Sequence, residues 1–282
     1  MICGEIVMNN VILEKIIKEK FQNNSTRELF LKHMNCFFEY DENNNRKYEK
    51  GEEVLLTENS LIHGSRIDPQ KVSLIKENGL IASEFFSTEN VLKKKPYIVE
   101  FWNVEKNMPL KEFIDVRAGV TIEIIDVDGK TREYILSSIE DISKNLLEIK
   151  KYREFTIYQN QEQRFVPNDY CNNSTMAFII NNDTDKKNEI IKNDIFSNNF
   201  NRSILEEILP KWYIEKYIDG EFDIHETGRE KGIILGVPAG LIEGILVCDK
   251  IKENKDTIDH IHEVFSNSYI CDTKGKVIIG NA

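Results

Sequence analysis

The run Leu61-Ile62-His63-Gly64-Ser65-Arg66-Ile67-Asp68-Pro69-Gln70-Lys71-Val72-Ser73-Leu74-Ile75-Lys76-Glu77-Asn78-Gly79-Leu80-Ile81-Ala82-Ser83 changes character several times along its length. Ser60 to His63 reads as the end of a short apolar strand. Asp68 is a good helix N-cap, and Pro69 suits a first turn, where its missing N–H leaves nothing unpaired. Val72, Leu74 and Ile75 give the following helix an apolar side. Gly79 is placed to end that helix, because glycine accepts the left-handed backbone that a helix C-terminus often needs. Strand, tight turn and short helix therefore follow one another, and the turn carries the polar side chains.

The surroundings mix both element types. Val11, Ile12, Ile16, Ile17 and Phe21 make one helical stripe, and Ser25 with Glu28 forms a capping box ahead of Leu29, Phe30, Met34, Phe37 and Phe38. Residues 41–53 are charged and Asn-rich, which predicts a linker after a helical N-terminal extension. Further strands are predicted at Tyr97–Trp102, at Val120–Val127 and Arg132–Leu136 around a type I′ Asp128-Gly129 turn, at 154–159 and at 176–180. Helices are predicted from Ser138 to about Tyr152 and over most of 183–219. Gly232–Val237 and Gly244–Cys248 read as strands, followed by a helix near 255–265 and a hairpin turned at Lys274-Gly275. Without βαβ regularity and with a hairpin in mid-chain, the pattern predicts an α+β fold with a mixed or antiparallel sheet. The expected organisation is an extension over 1–53 and one domain over 54–282.

Composition narrows the function classes. The 282 residues hold 48 acidic and 37 basic side chains, a net charge of −11 with neutral histidines. Such a surface repels phosphate backbones and argues against general nucleic-acid binding, while leaving room for a local site for one phosphate-bearing ligand. No apolar run reaches 18 residues, so no membrane span is expected. The start MICGEIVMNN lacks the basic and apolar regions of a secretory signal. The five cysteines, Cys3, Cys36, Cys171, Cys248 and Cys271, are scattered and never in CxxC spacing, as for reduced thiols. The expected location is cytoplasmic, although a toxin exported without a signal would look the same.

Common catalytic signatures are missing: no Walker loop, no GxGxxG after a strand, no GxSxG and no HExxH occur. His260 and His262 with Cys248 and Cys271 match no zinc module, and residues two apart on a helix diverge, so no metal is expected. Cys171 has no basic neighbour in sequence to activate it, and His225 sits in a polar stretch. The His63-Gly64-Ser65 turn remains. Gly64 lets a ligand approach the backbone, Ser65 offers a hydroxyl, and the His63 imidazole can donate a hydrogen bond to a ribose hydroxyl. Residue chemistry alone also permits a histidine packed in the core beside a tight turn.

The run from Leu61 to Ser83 resembles the first motif of the ADP-ribosyltransferase superfamily, in which a strand ends in His-Gly-Ser or His-Gly-Thr and a helix and Gly-Leu follow. Arg66 after Ser65 is similar to the poly-ADP-ribose polymerase branch. The resemblance implies a split α+β sheet and NAD as substrate, with no metal. It implies that His63, Gly64, Ser65 and Arg66 hold the adenosine-ribose side of NAD. Phe85-Phe86-Ser87-Thr88-Glu89 resembles the aromatic-x-Ser-Thr-Ser element of the arginine-modifying branch. Phe86 would then stack on nicotinamide and Ser87 would hydrogen-bond the site; two core aromatics are the other reading. Cleaving NAD develops an oxocarbenium ion, which needs a carboxylate. Arg229-Glu230-Lys231-Gly232-Ile233 resembles the Glu-x-Glu strand of the transferase toxins, with Gly232 at the second glutamate's position. Glu243 opens an apolar strand, as the polymerase-branch glutamate does. The sequence leaves both Glu230 and Glu243 open as the catalytic carboxylate. The implied function is transfer of ADP-ribose to a protein or small-molecule acceptor, and the alternative is an inactive transferase-like binding module.

Overall fold

A computed structural model of the chain describes residues 45–58, 60–81, 98–118, 120–136, 152–159, 175–180, 206, 211, 214–215, 230–234 and 236–281. The helical extension expected before residue 45 and residues 138–151 of the helix expected to reach Tyr152 lie outside the described residues, whereas Tyr152 itself opens a strand. So does nearly all of the helical stretch expected over 183–219.

The described strands are β1 (Leu55–Leu56), β2 (Leu61–Ser65), β3 (Leu80–Ile81), β4 (Ile98–Asn103), β5 (Met108–Pro109), β6 (Val120–Asp126), β7 (Thr131–Leu136), β8 (Tyr152–Gln159), β9 (Met176–Ile180), β10 (Glu230–Ile234), β11 (Gly236–Val237), β12 (Ile242–Val247), β13 (Tyr269–Asp272) and β14 (Val277–Ile279). The helices are α1 (Ser73–Asn78), α2 (Leu110–Ala118), α3 (Asp249–Lys252) and α4 (Lys255–Val264), with 3₁₀ turns at Pro69–Lys71 and Ala239–Leu241. The fold is α+β, as the sequence predicts.

Seven strands form the central sheet in the order β10-β4-β2-β9-β12-β13-β14. Neighbours are antiparallel except β12 and β13, which pair in parallel across the connection that carries α3 and α4. A parallel pair cannot be joined by a tight turn, and those helices supply the needed crossover length. A second sheet, β7-β6-β8, is antiparallel. Its β6–β7 hairpin ends on the pair Ile125↔Thr131, so the connection is longer than the expected two-residue turn; Gly129 still takes the positive φ of 78° that the turn needs. The expected single strand Gly232–Val237 is also corrected. β10 pairs with β4, whereas β11 pairs with β3, and Gly236 turns the chain between them with φ 113°.

Side-chain alternation gives the central sheet two faces. Ile62, Trp102, Ala177, Ile179, Leu246, Tyr269 and Cys271 share one face and pack with Leu110, Phe113 and Ile114 of α2. Their neighbours one residue along, such as Phe101, Phe178, Ile245 and Ile270, are buried on the other face. There the Phe178 ring meets Phe265 at the end of α4, 6.3 Å between centroids. We call these the α2 face and the α4 face.

The expected linker belongs in part to this body. Residues 45–54 form a strap along β14: Gly51 N–H donates to Val277 C=O at 2.8 Å, Val277 N–H to Glu52 C=O at 3.0 Å, and Val54 N–H to Gly275 C=O at 2.9 Å. The strap therefore covers the edge of the sheet, and the expected boundary at 53/54 falls within a hydrogen-bonded segment.

Candidate functional site

The His63 strand end is built by a fork in the central sheet. β2 pairs with β9 along its whole length, from Leu61↔Ile180 to Ser65↔Met176. It pairs with β4 only at Leu61↔Asn103 and Ile62↔Trp102. Beyond that point β4 continues against β10, from Trp102↔Glu230 to Ile98↔Ile234. Burial follows the fork: Leu61 and Ile62 are buried, whereas His63, Gly64 and Ser65 are half-buried. The His63 ring lies 5.4 Å from that of buried Phe101, tilted by 54°, which places it on the α4 face.

Local hydrogen bonds then shape the turn. Ile67 N–H donates to Ser65 Oγ at 3.2 Å, and the Asp68 carboxylate accepts from Gln70 N–H at 3.1 Å to cap the 3₁₀ turn started by Pro69. Accepting the Ile67 bond occupies one lone pair of Ser65 and keeps its own O–H as a donor. Thr175, just before β9, donates its backbone N–H to Ser65 C=O at 2.9 Å and its hydroxyl to Ile67 C=O at 2.9 Å. Arg66 is exposed between these anchored residues. Gly79 ends α1 with φ 80° and ψ −177°, and its N–H donates to Ile75 C=O. A Cβ there would stand 2.4 Å from the Val237 carbonyl oxygen, so glycine is what lets β11 come alongside β3.

The two candidate carboxylates part company. Glu243 is fully buried at the bulge where β12 shifts register against β9. Arg46 of the strap holds it: Nε donates to Oε2 at 3.1 Å, and the second guanidinium nitrogen bonds Oε1. Arg46 also donates to Leu55 C=O at 2.6 Å and lies 5.8 Å from the centroid of the Tyr48 ring. Tyr48 and Tyr269 stack edge to face at 4.7 Å. Tyr48 packs against, and Tyr269 belongs to, the α2-face core, opposite the face of His63. Glu243 is thus an internal counter-ion for Arg46, and it does not meet His63 in one cleft.

Burial opposes the Arg46 charge, but the hydrogen bonds and attraction of Glu243 hold its pKa above the ordinary arginine value. Burial first, and then the negative charge of Glu243, push the Tyr269 phenol well above its usual range. Its hydroxyl has no hydrogen-bond partner among the described residues.

Glu230 stands on the other side of β2. Its backbone faces Trp102, which in turn faces Ile62. That register sets Glu230 on the α2 face with Ile62 and Trp102, opposite the face of His63, with two strand spacings, about 10 Å, between its Cα and that of Ile62. Lys231 is opposite Phe101, in step with His63, and Gly232 is opposite Glu100. Phe86 and Ser87 lie outside the described residues.

Sequence reasoning missed Thr175 and Arg46. Their partners lie 108 and 197 positions away, and no local pattern marks such pairs. Elsewhere, an open cavity of about 500 Å³ lies between α2 and the Lys274-Gly275 turn, and no candidate residue lines it. Among the described residues, no group of three or more His, Cys, Asp or Glu side chains gathers as a metal site. No helix among them is long and apolar enough to cross a membrane. No family model, curated protein or solved structure matches this chain.

Proposed function

We propose that this chain is an ADP-ribosyltransferase-like protein that binds NAD at the end of β2 and transfers ADP-ribose to a protein or small-molecule acceptor. The observation that carries the reading is the fork. His63 and Ser65 lie half-buried where β2 separates from β4, and the run from β2 through α1 to Gly79 keeps the element order that the resemblance implies. In the reaction the bond between nicotinamide and the ribose C1′ breaks, nicotinamide leaves, and an acceptor nucleophile bonds C1′ and sheds its proton. His63 and Ser65 would hold the adenosine ribose, Phe86 and Ser87 the nicotinamide end. Glu230, set by its register on the α2 face, would have to meet the ribose at the rim of the sheet to offset the positive charge that develops there. The acceptor contacts would come from loops around the site.

Two observations favour a second reading, in which NAD binds without turnover. Gly232 offers no side chain at the second glutamate's position, and Glu243 is committed to Arg46. Mixing the protein with NAD and following both ligand contact and nicotinamide release by proton NMR separates the readings. Contact with release, both lost in His63→Ala, is expected. Contact without release supports the binding module. Absence of contact overturns both.

A further inference from the structure

The hydroxyl of Thr175 forms a bond that the strand ladder does not require. The backbone N–H of Thr175 already extends the β2–β9 pairing by one step to Ser65 C=O. The side chain goes further along the chain: Oγ1 lies 2.9 Å from Ile67 C=O and 3.3 Å from Ser65 C=O. One hydroxyl has one hydrogen, so the shorter contact is the main bond. It reaches beyond the end of the strand to the residue whose own N–H fixes the Ser65 hydroxyl. Thr175, Ile67 and the Ser65 side chain thus form a closed circuit. Its effect is to hold the chain after Gly64 in a single turn, with the Ser65 Oγ turned toward Ile67 N–H and its O–H directed elsewhere.

We infer that Thr175 is a positioning residue for the dinucleotide, its hydroxyl fixing the Ser65–Ile67 turn so that His63 and Ser65 present polar atoms to one ligand. This rests on the reading of the strand end as an NAD site. Thr175 need not touch NAD. It removes alternative conformations of the turn before binding, so the ligand does not have to order it. Valine has the same shape without the hydroxyl, and serine keeps the hydroxyl with less bulk.

The test compares the full-length protein with Thr175→Val and Thr175→Ser. NAD itself is the probe, titrated by proton NMR, alongside thermal melting and hydrogen exchange of the Ile67 amide. Losing one neutral hydrogen bond corresponds to about a five- to ten-fold weaker affinity. Thr175→Val is expected to weaken NAD binding by that factor and to speed Ile67 exchange, while Thr175→Ser restores both. If turnover occurs, KM should rise and kcat stay within about two-fold, because the adenosine ribose is far from the bond that breaks. If wild type binds NAD and Thr175→Val binds it equally well, this inference alone is overturned. Weaker binding in proportion to a general loss of melting temperature, unrescued by serine, also overturns it. If wild type makes no contact with NAD, the functional reading falls and this role falls with it.

Discussion

Arg46 and Glu243, 197 positions apart in sequence, form a two-pronged ion pair between the strap and the bulge of β12. Glu243 is fully buried, and the Arg46 side chain is 27% exposed. Two charges taken from water in this way gain little over an apolar pair, but breaking the pair from one side is costly, because a buried charge is left alone. Arg46→Ala should therefore destabilise the protein by on the order of 3 kcal/mol. Arg46→Met with Glu243→Leu should recover much of that loss. Urea unfolding of the two single variants and the double variant measures the coupling; additive losses would show that the pair acts as two independent side chains.

The same cluster sets an alkaline limit. The usual tyrosine pKa is 10.0, and burial and Glu243 raise that of Tyr269 in the fold. Cys271 shifts the same way from 9.0, through burial and then the neighbouring Asp272. A raised pKa means that the unfolded chain loses its proton first. The stability is intact below the unfolded pKa and is lost as pH rises toward the folded one. Stability should fall from about pH 9 upward, with the Tyr269 phenolate absorbing only as the protein unfolds. Tyr269→Phe should remove part of this slope. It should cost less than about 1 kcal/mol at pH 7, because the hydroxyl has no partner among the described residues.

Gly79 is constrained twice. Its φ of 80° with ψ −177° lies in a region open essentially to glycine alone, and an added Cβ would meet the Val237 carbonyl at 2.4 Å. Gly79→Ala should cost about 1–3 kcal/mol for the backbone, with a further loss from the separation of β3 and β11. Equilibrium unfolding gives the size. A faster exchange of the Val237 amide, with that of Ile245 unchanged, would place the damage at the β3–β11 pair.

Much of the fold was legible because its signals are local. Val120–Asp126, Thr131–Leu136 and Met176–Ile180 are apolar or alternating runs bounded by turn residues, and the structure has strands there. Asp68, Pro69 and Gly79 act in the cap, first-turn and terminator roles that their chemistry suggests. Helix α2 shows the limit: Leu110, Phe113 and Ile114 have helical spacing, but nine residues of mixed charge carry too weak a pattern to separate from a loop. Gly236 shows another, since the same apolar run stays one strand or becomes two according to which partner strand lies beside it. The site divided in the same way. His63 and Ser65 could be singled out from their own neighbours in sequence. The role of Glu243 depended on which face of the sheet the β12 bulge presents and on an arginine far away in the chain. Nothing near Glu243 distinguishes a catalytic carboxylate from an internal counter-ion.

That distinction is measurable. Glu243→Gln removes the charge but keeps the shape and leaves Arg46 with a weaker partner. A loss of about 2 kcal/mol is expected, or roughly 4–8 °C in melting temperature for a domain of this size. Glu230 lies on β10 at the rim of the central sheet, and its substitution should barely move the melting temperature. If the protein cleaves NAD, Glu230→Gln should lower kcat by a hundred-fold or more, the order expected when a group that stabilises transition-state charge is lost. Glu243→Gln should then leave kcat within about two-fold at a temperature where the variant is folded. Parallel melting curves and nicotinamide-release assays on both variants decide the matter. A large loss of kcat in a folded Glu243→Gln variant would mean that the strap opens and that Glu243 serves the reaction after Arg46 has left it.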